Sequence, residues 1–397
     1  MSVTSRPAVA AESFVPPVYP FDKLTELSEL ASAHAGGAVD LSIGTPCDPP
    51  LAEVVDALGH SGAERGYPTS IGSVEFREAA SGWMARRLGV SVPVSAIAAC
   101  IGTKELVAGV PLWLRLRNPS RDTVLYPSLA YPTYEMGAVL AGCRAIRVPA
   151  GADGGMDLAA VDEEDAARAL CLWVNSPGNP GGQLENLGAV AEWGRARGIP
   201  VFSDECYVEF TWTGARRTIL QHGDGGVVAV HSLSKRSNLA GLRVGLFAGD
   251  PELVAYLAAV RRHAGFMVPG PVQHAAAVAF ADDAHVDRQR AIYLERLERF
   301  AGWLGEAGIP VDLPDGSFYL WVSVPEGLAA ESGEASPAFA LGRYFAEAGG
   351  FIGSPGDAYG PQGTRHVRLA MVQPVGRLEL AAERLMRASS RRRRSGH

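Results

Sequence analysis

The chain has 397 residues, a net charge of −7 and a hydrophobic share of 47%. That is ample material for one compact unit or two lobes, and the negative charge argues against nucleic acid as the main partner. No run approaches membrane-spanning length, the N-terminus lacks a basic start followed by an apolar stretch, and the five cysteines show no Cys-x-x-Cys spacing; the expectation is a cytoplasmic setting with free thiols, no metal and no membrane contact.

In chain order, the first clear element is an amphipathic helix over 72–88. Strands are then expected over 96–101, 123–126, 145–148, 170–174, 200–203, 227–231 and 244–248, with helices among them over 187–197 and 251–263. This alternation predicts an α/β fold with a mainly parallel seven-stranded sheet covered on both faces. The pattern over 286–305, with Ile292, Leu294, Leu297 and Leu304 set among charges, predicts a long helix leading to a smaller α+β lobe. That lobe carries a strand near 316–321, a further helix and a strand through Arg368. The expected division is a large domain over 46–280, a small domain from 1–45 and 281–388, and a frayed basic tail over 389–397. The acidic, alanine-rich stretch 325–336 reads as a surface loop.

Of 36 lysines and arginines, only Lys23, Lys104 and Lys235 are lysines. Lysine can lose its proton near neutral pH and attack a carbonyl, which arginine cannot. Lys235 lies in Ser232-Leu233-Ser234-Lys235, just past an apolar strand, with Gly241-Leu242-Arg243 following. The Ser232 hydroxyl and the Arg243 guanidinium both suit a phosphate dianion. Upstream, Val201-Phe202-Ser203-Asp204-Glu205-Cys206-Tyr207 ends a strand in an acid, which can hold a proton on a pyridine nitrogen or simply cap a helix. Gly102-Thr103-Lys104-Glu105 opens a helix and offers backbone N–H groups to an anion.

Together these segments resemble the fold-type I pyridoxal-phosphate enzymes, in particular the class I/II aminotransferases, from about Ile43 to Arg368 and in the family's order. The resemblance implies pyridoxal 5'-phosphate bound to Lys235 as a Schiff base, Asp204 on the ring nitrogen and Tyr207 on the phenolic oxygen. It places Gly102, Thr103, Lys104, Ser232 and Arg243 at the phosphate and stacks Tyr131, in Ala130-Tyr131-Pro132-Thr133-Tyr134, on the ring. Tyr134 reads as part of a structural aromatic cluster. Asn175-Ser176-Pro177-Gly178-Asn179-Pro180-Gly181 is similar to the family's Asn-Pro loop, which implies that Asn179 bonds the phenolic oxygen, although Gly181 stands where the family has Thr. Gly44 and Arg368 would take the substrate carboxylate, and Tyr67 would reach the phosphate of a neighbouring subunit in a homodimer with shared sites.

The wording of several segments is close to actinobacterial-type N-succinyldiaminopimelate aminotransferases of lysine biosynthesis. That implies amino transfer between glutamate/2-oxoglutarate and N-succinyl-2-amino-6-oxopimelate, with Lys104 and Arg236 as candidate cations for the extra carboxylates. The same ring-binding set also suits a relative recruited to natural-product biosynthesis for elimination, replacement or carbon–carbon bond formation. A cofactor-sensing regulator is a third, weaker reading.

Overall fold

The computed structural model describes residues 14–152, 154–326, 328 and 336–395. The strands in chain order are β1 Val39–Asp40, β2 Ile97–Cys100, β3 Thr123–Pro127, β4 Arg144–Val148, β5 Ala169–Asn175, β6 Val201–Asp204, β7 Val227–Ser232, β8 Gly245–Gly249, β9 Tyr319–Ser323, β10 Phe351–Ile352, β11 Ser354–Pro355 and β12 His366–Ala370. Seven of them form the central sheet in the order β2-β8-β7-β6-β5-β3-β4. All run parallel except β8, which is antiparallel to both β2 and β7. β5 and β7 are buried along their whole length, because helices cover both faces and leave no polar side to alternate with.

The two faces belong to different cores. Val227 and Ala229 of β7 pack with Phe76, Trp83 and Phe280 from helices Val74–Leu88 and Gly270–Ala281. Val228 and Val230 pack with Leu106, Tyr134 and Leu257 on the other side. The helix Val74–Leu88 starts where the Ser73 side chain accepts from the Phe76 N–H, and it ends at Gly89, whose φ of 68° suits a residue without a Cβ.

Ala284–Glu306 is the expected long helix, and its buried stripe of Leu297, Phe300 and Leu304 leads into the smaller core. There β12 pairs antiparallel with β9 and β11, and β1 pairs parallel with β10. Both ends of the chain thus meet in one lobe. One expectation fails here. Residues 389–395, read as a frayed tail, continue the helix Val375–Ser395, since arginine is a good helix former and no Gly or Pro interrupts the run. Most of the surface loop expected over 325–336 lies outside the described residues.

Candidate active site

In an open α/β sheet ligands bind past the carboxyl ends of the strands. There β5, β6 and β7 deliver Asn175, Asp204 and Ser232 to a cavity of about 400 Å³, closed from the other lobe by Gly44, Tyr319 and Arg368. Lys235 enters it from the single helical turn Leu233–Arg236 that follows β7. Its ammonium donates to the Gly44 carbonyl. Burial, reinforced by the positive charges of Arg368 and Arg243, lowers Lys235 to about 8, so part of it is a free amine near neutral pH.

Arg236, one residue on, faces elsewhere. It is 2% exposed and donates to the carbonyls of Ala279 and Asp282 and to Asp283. Successive helical residues point about 100° apart, so a lysine aimed into the cavity turns its neighbour into the core. The expectation that Arg236 binds a distal carboxylate is therefore corrected: it is a structural cation. Lys104, its companion in that expectation, does line the cavity. Its ammonium lies 3.1 Å from the Tyr19 hydroxyl and over the rings of Tyr19 and Tyr131.

Asp204 accepts from the Tyr134 hydroxyl at 2.8 Å and from the Cys206 N–H at 3.2 Å. Burial raises its carboxyl above the usual range, and these donors oppose the rise. At the far end, Thr103 opens the 15-residue helix Thr103–Arg117, and Gly102 before it has φ 70°. A Cβ on Gly102 would run into the Arg243 guanidinium; glycine thus lets the arginine lie against the helix N-terminus. With Ser232 and Ser234 beside it, this is a cradle for a dianion.

Arg368, 2% exposed on β12, donates to Asn179 Oδ1 at 2.8 Å and to the Ser42 carbonyl at 2.6 Å. Its guanidinium lies 4.1 Å from the centre of the Tyr319 ring and 5.0 Å from that of Tyr359. Among the described residues no carboxylate pairs with it, and its Nε has no hydrogen-bond partner. A buried cation without an anion is costly, so this pocket is built to receive a carboxylate. Asn179, with Oδ1 taken by Arg368, keeps its Nδ2 as the donor. Tyr207 shares a hydrogen bond of 2.9 Å with Tyr319, and both line the cavity together with Tyr131. Tyr67 is fully exposed and takes no part in lining its own chain's cavity.

Every expected residue except Gly102, Tyr67 and Arg236 therefore lines the cavity, and Gly102 lies directly against Arg243 at its edge. The structure adds Tyr134, read only as structural, and Tyr19, Asn175, Ser234 and Tyr319. Asn175 sat in the same loop motif as Asn179 and was overlooked beside it. Tyr19 had no local signal, because only the packing of the N-terminal segment carries it to the mouth. A free amine, a buried acid with neighbouring donors, a flat aromatic and a cationic dianion cradle together fit pyridoxal phosphate.

Comparison with known proteins agrees. The family model described as aminotransferase class I and II matches residues 37–385. The chain is 42% identical to a protein of Mycobacterium tuberculosis described as a probable aminotransferase, across 96% of this chain and 87% of that one. It is 39% identical to the 4-dedimethylamino-4-oxo-anhydrotetracycline transaminase of Streptomyces rimosus, across 93% of this chain and 99% of that one. A Thermus thermophilus structure described as a probable N-succinyldiaminopimelate aminotransferase matches with a TM-score of 0.81 and 31% identity, covering 93% of this chain and 99% of that one.

Proposed function

The chain belongs to the class I and II aminotransferases, which depend on pyridoxal phosphate, and from that premise we propose that it moves an amino group between glutamate and N-succinyl-2-amino-6-oxopimelate. The observation that carries this reading is that four cations without carboxylate partners among the described residues line one cavity, and once Lys235 and Arg243 are given to the cofactor two remain, Arg368 within it and Lys104 at its mouth. Substrates with a second carboxylate require a second cation, and the likeness to the Thermus thermophilus structure supports this particular substrate.

Pyridoxal phosphate, when bound, supplies an electrophilic carbon and an electron-withdrawing ring. The protein does the rest. Arg368 holds the substrate α-carboxylate as a bidentate partner and fixes the amino acid's orientation. Lys235, lowered toward neutrality, takes the proton from the substrate Cα and returns it as general base and acid. Asp204, held by Tyr134 and the Cys206 amide, keeps a positive charge on the ring nitrogen. Tyr207 and Asn179 present donors to the ring's phenolic oxygen, and Arg243, Ser232, Ser234 and the Thr103 helix terminus hold the phosphate. On the same reading the enzyme is a cytoplasmic homodimer, and the full exposure of Tyr67 supports its reaching the partner's site.

A second reading has one finding in its favour, the 39% identity to a tetracycline-pathway transaminase: the amino acceptor would be a natural-product ketone. The absorbance of the purified holoenzyme, followed as single amino acids are added, decides between them. Conversion of the cofactor to its amino form by both glutamate and N-succinyl-LL-diaminopimelate, reversed by 2-oxoglutarate, is the expected result. Conversion by glutamate alone moves the chain to the second reading, and conversion by neither rejects both.

A further inference from the structure

Behind the active site the sheet carries a second polar group that the mechanism leaves unused. Side chains alternate along a strand. While Asp204 and Ser232 face the cavity, Ser203, Glu205 and His231 face the opposite core. All three are shut off from solvent, at 0%, 0% and 2% exposure. The Glu205 N–H donates to the Val230 carbonyl at 2.9 Å and so stays on the β7 ladder. Its Oε1 accepts from the Ile219 N–H at 2.8 Å, and its Oε2 lies 3.4 Å from His231 Nε2. Trp83 closes the far side, edge-on to the imidazole at 4.9 Å.

Glu205 Oε2 and both imidazole nitrogens complete no hydrogen bond, not even with each other across 3.4 Å, although the Ser203 and Thr218 hydroxyls lie beside the carboxylate and the Glu205 backbone beside the imidazole. Buried polar atoms are nearly always partnered, and a separated carboxylate and imidazolium would need solvation that this core does not offer. The neighbouring charges are Asp204, one residue back, and Glu209, which is engaged by Arg87, Arg216 and Arg236. A second anion directly behind Asp204 would oppose that residue's own ionisation. Burial acts in the same sense on each partner: it raises the Glu205 carboxyl to about 7 and lowers His231 to about 4.

We propose that Glu205 and His231 share one proton as a neutral pair on the back of the sheet, and that Glu205 is thereby a positioning residue for Asp204. This rests on the reading of Asp204 as the partner of the cofactor ring nitrogen. The proton is conserved. In the unfolded chain near pH 5.5 it sits on His231 while Glu205 is ionised; in the folded protein Glu205 carries it and donates toward His231 Nε2, with no net uptake.

The test is a ¹⁵N NMR titration of the histidine-labelled holoenzyme, with His231 assigned by His231→Gln. A neutral imidazole down to about pH 5, with one inflection near 7 as Glu205 ionises, is expected. Glu205→Gln keeps an acceptor for the Ile219 N–H and should abolish that inflection. The visible absorption of the bound cofactor should carry the same inflection in the wild type and lose it in Glu205→Gln. A His231 that titrates as a cation near its ordinary value overturns the shared proton. An absorption profile unchanged by Glu205→Gln overturns the link to Asp204. If Glu205→Gln fails to fold, the wild-type titration decides the first point and His231→Gln decides the second. The NMR signal does not require cofactor, so a protein that bound none would count against the cofactor reading alone.

Discussion

Replacing Tyr134 by Phe removes a single oxygen from a buried ring, and that oxygen is one of two groups seen donating to Asp204. The ring itself stays packed against Trp173, 5.4 Å between centroids, so the core loses almost no volume. A hydrogen bond to an ionised group contributes about 1.5–3 kcal/mol. Its loss raises the Asp204 carboxyl further, because the ionised form loses a donor that opposed the effect of burial. Burial already holds that carboxyl above its usual range, so the added rise removes negative charge from the site near neutral pH. The expected outcome is a kcat lowered roughly 10- to 100-fold, the rate equivalent of about 1.5–3 kcal/mol, an acid limb of the pH–kcat profile displaced upward, and a glutamate KM little changed, since Arg368 does not touch Tyr134. Steady-state kinetics across pH, with glutamate and 2-oxoglutarate as substrates, measures all three. A kcat within about threefold of wild type and an unmoved acid limb would refute the argument that Tyr134 supports Asp204.

Arg368→Lys keeps the charge but loses the planar fork; at about 1.5–3 kcal/mol for one charged hydrogen bond, kcat/KM for glutamate should fall roughly 10- to 150-fold, as initial-rate kinetics will show. Lys235→Ala should abolish turnover while leaving Asp204 and Arg243 in place to bind cofactor weakly and reversibly, which dialysis followed by absorbance detects. Because Lys235 is lowered from 10.5 to about 8 in the folded protein, the unfolded chain binds the extra proton between those values. Stability of the cofactor-free wild type should therefore gain a contribution as pH rises through that window, and denaturant titrations should show it missing in Lys235→Ala. Arg236→Ala should cost about 3–5 kcal/mol of stability by leaving Glu209 and Asp283 short of a buried partner, yet leave the KM for dicarboxylic substrates unchanged; a selective rise in that KM would restore Arg236 to the pocket.

How much of this was legible without coordinates follows from how far each signal reaches along the chain. A strand buried on both faces is a local apolar run, and six of the seven strands of the large sheet could be read that way; the edge strand β4 carries Arg144 and Arg147 and is only partly buried. Short motifs around Lys235, Asp204 and Gly102 carry their own chemistry, because a free amine, a strand-end acid and a glycine before a helix each need only adjacent residues. Arg368 was visible for the same reason, although its isolation from carboxylates was not.

What the chain order could not decide was direction. Lys235 and Arg236 are neighbours with similar charge, and only the packing of one helical turn sends the first into the cavity and the second into a nest of acids. Tyr134 and Tyr131 are three residues apart in one aromatic stretch, and only the approach of β6 puts one hydroxyl on a carboxylate. Tyr19, 85 residues from Lys104 and 112 from Tyr131, meets both only through the packing of the N-terminal segment. The sequence by itself determined the fold class, which follows from short-range periodicity, and its resemblance to the class I/II aminotransferases pointed to the cofactor and to the residues expected to face it. The tertiary structure alone decided which cations enter the cavity, which tyrosine hydroxyl reaches the acid and what lies behind it, because long-range packing sets the orientation and desolvation of each group.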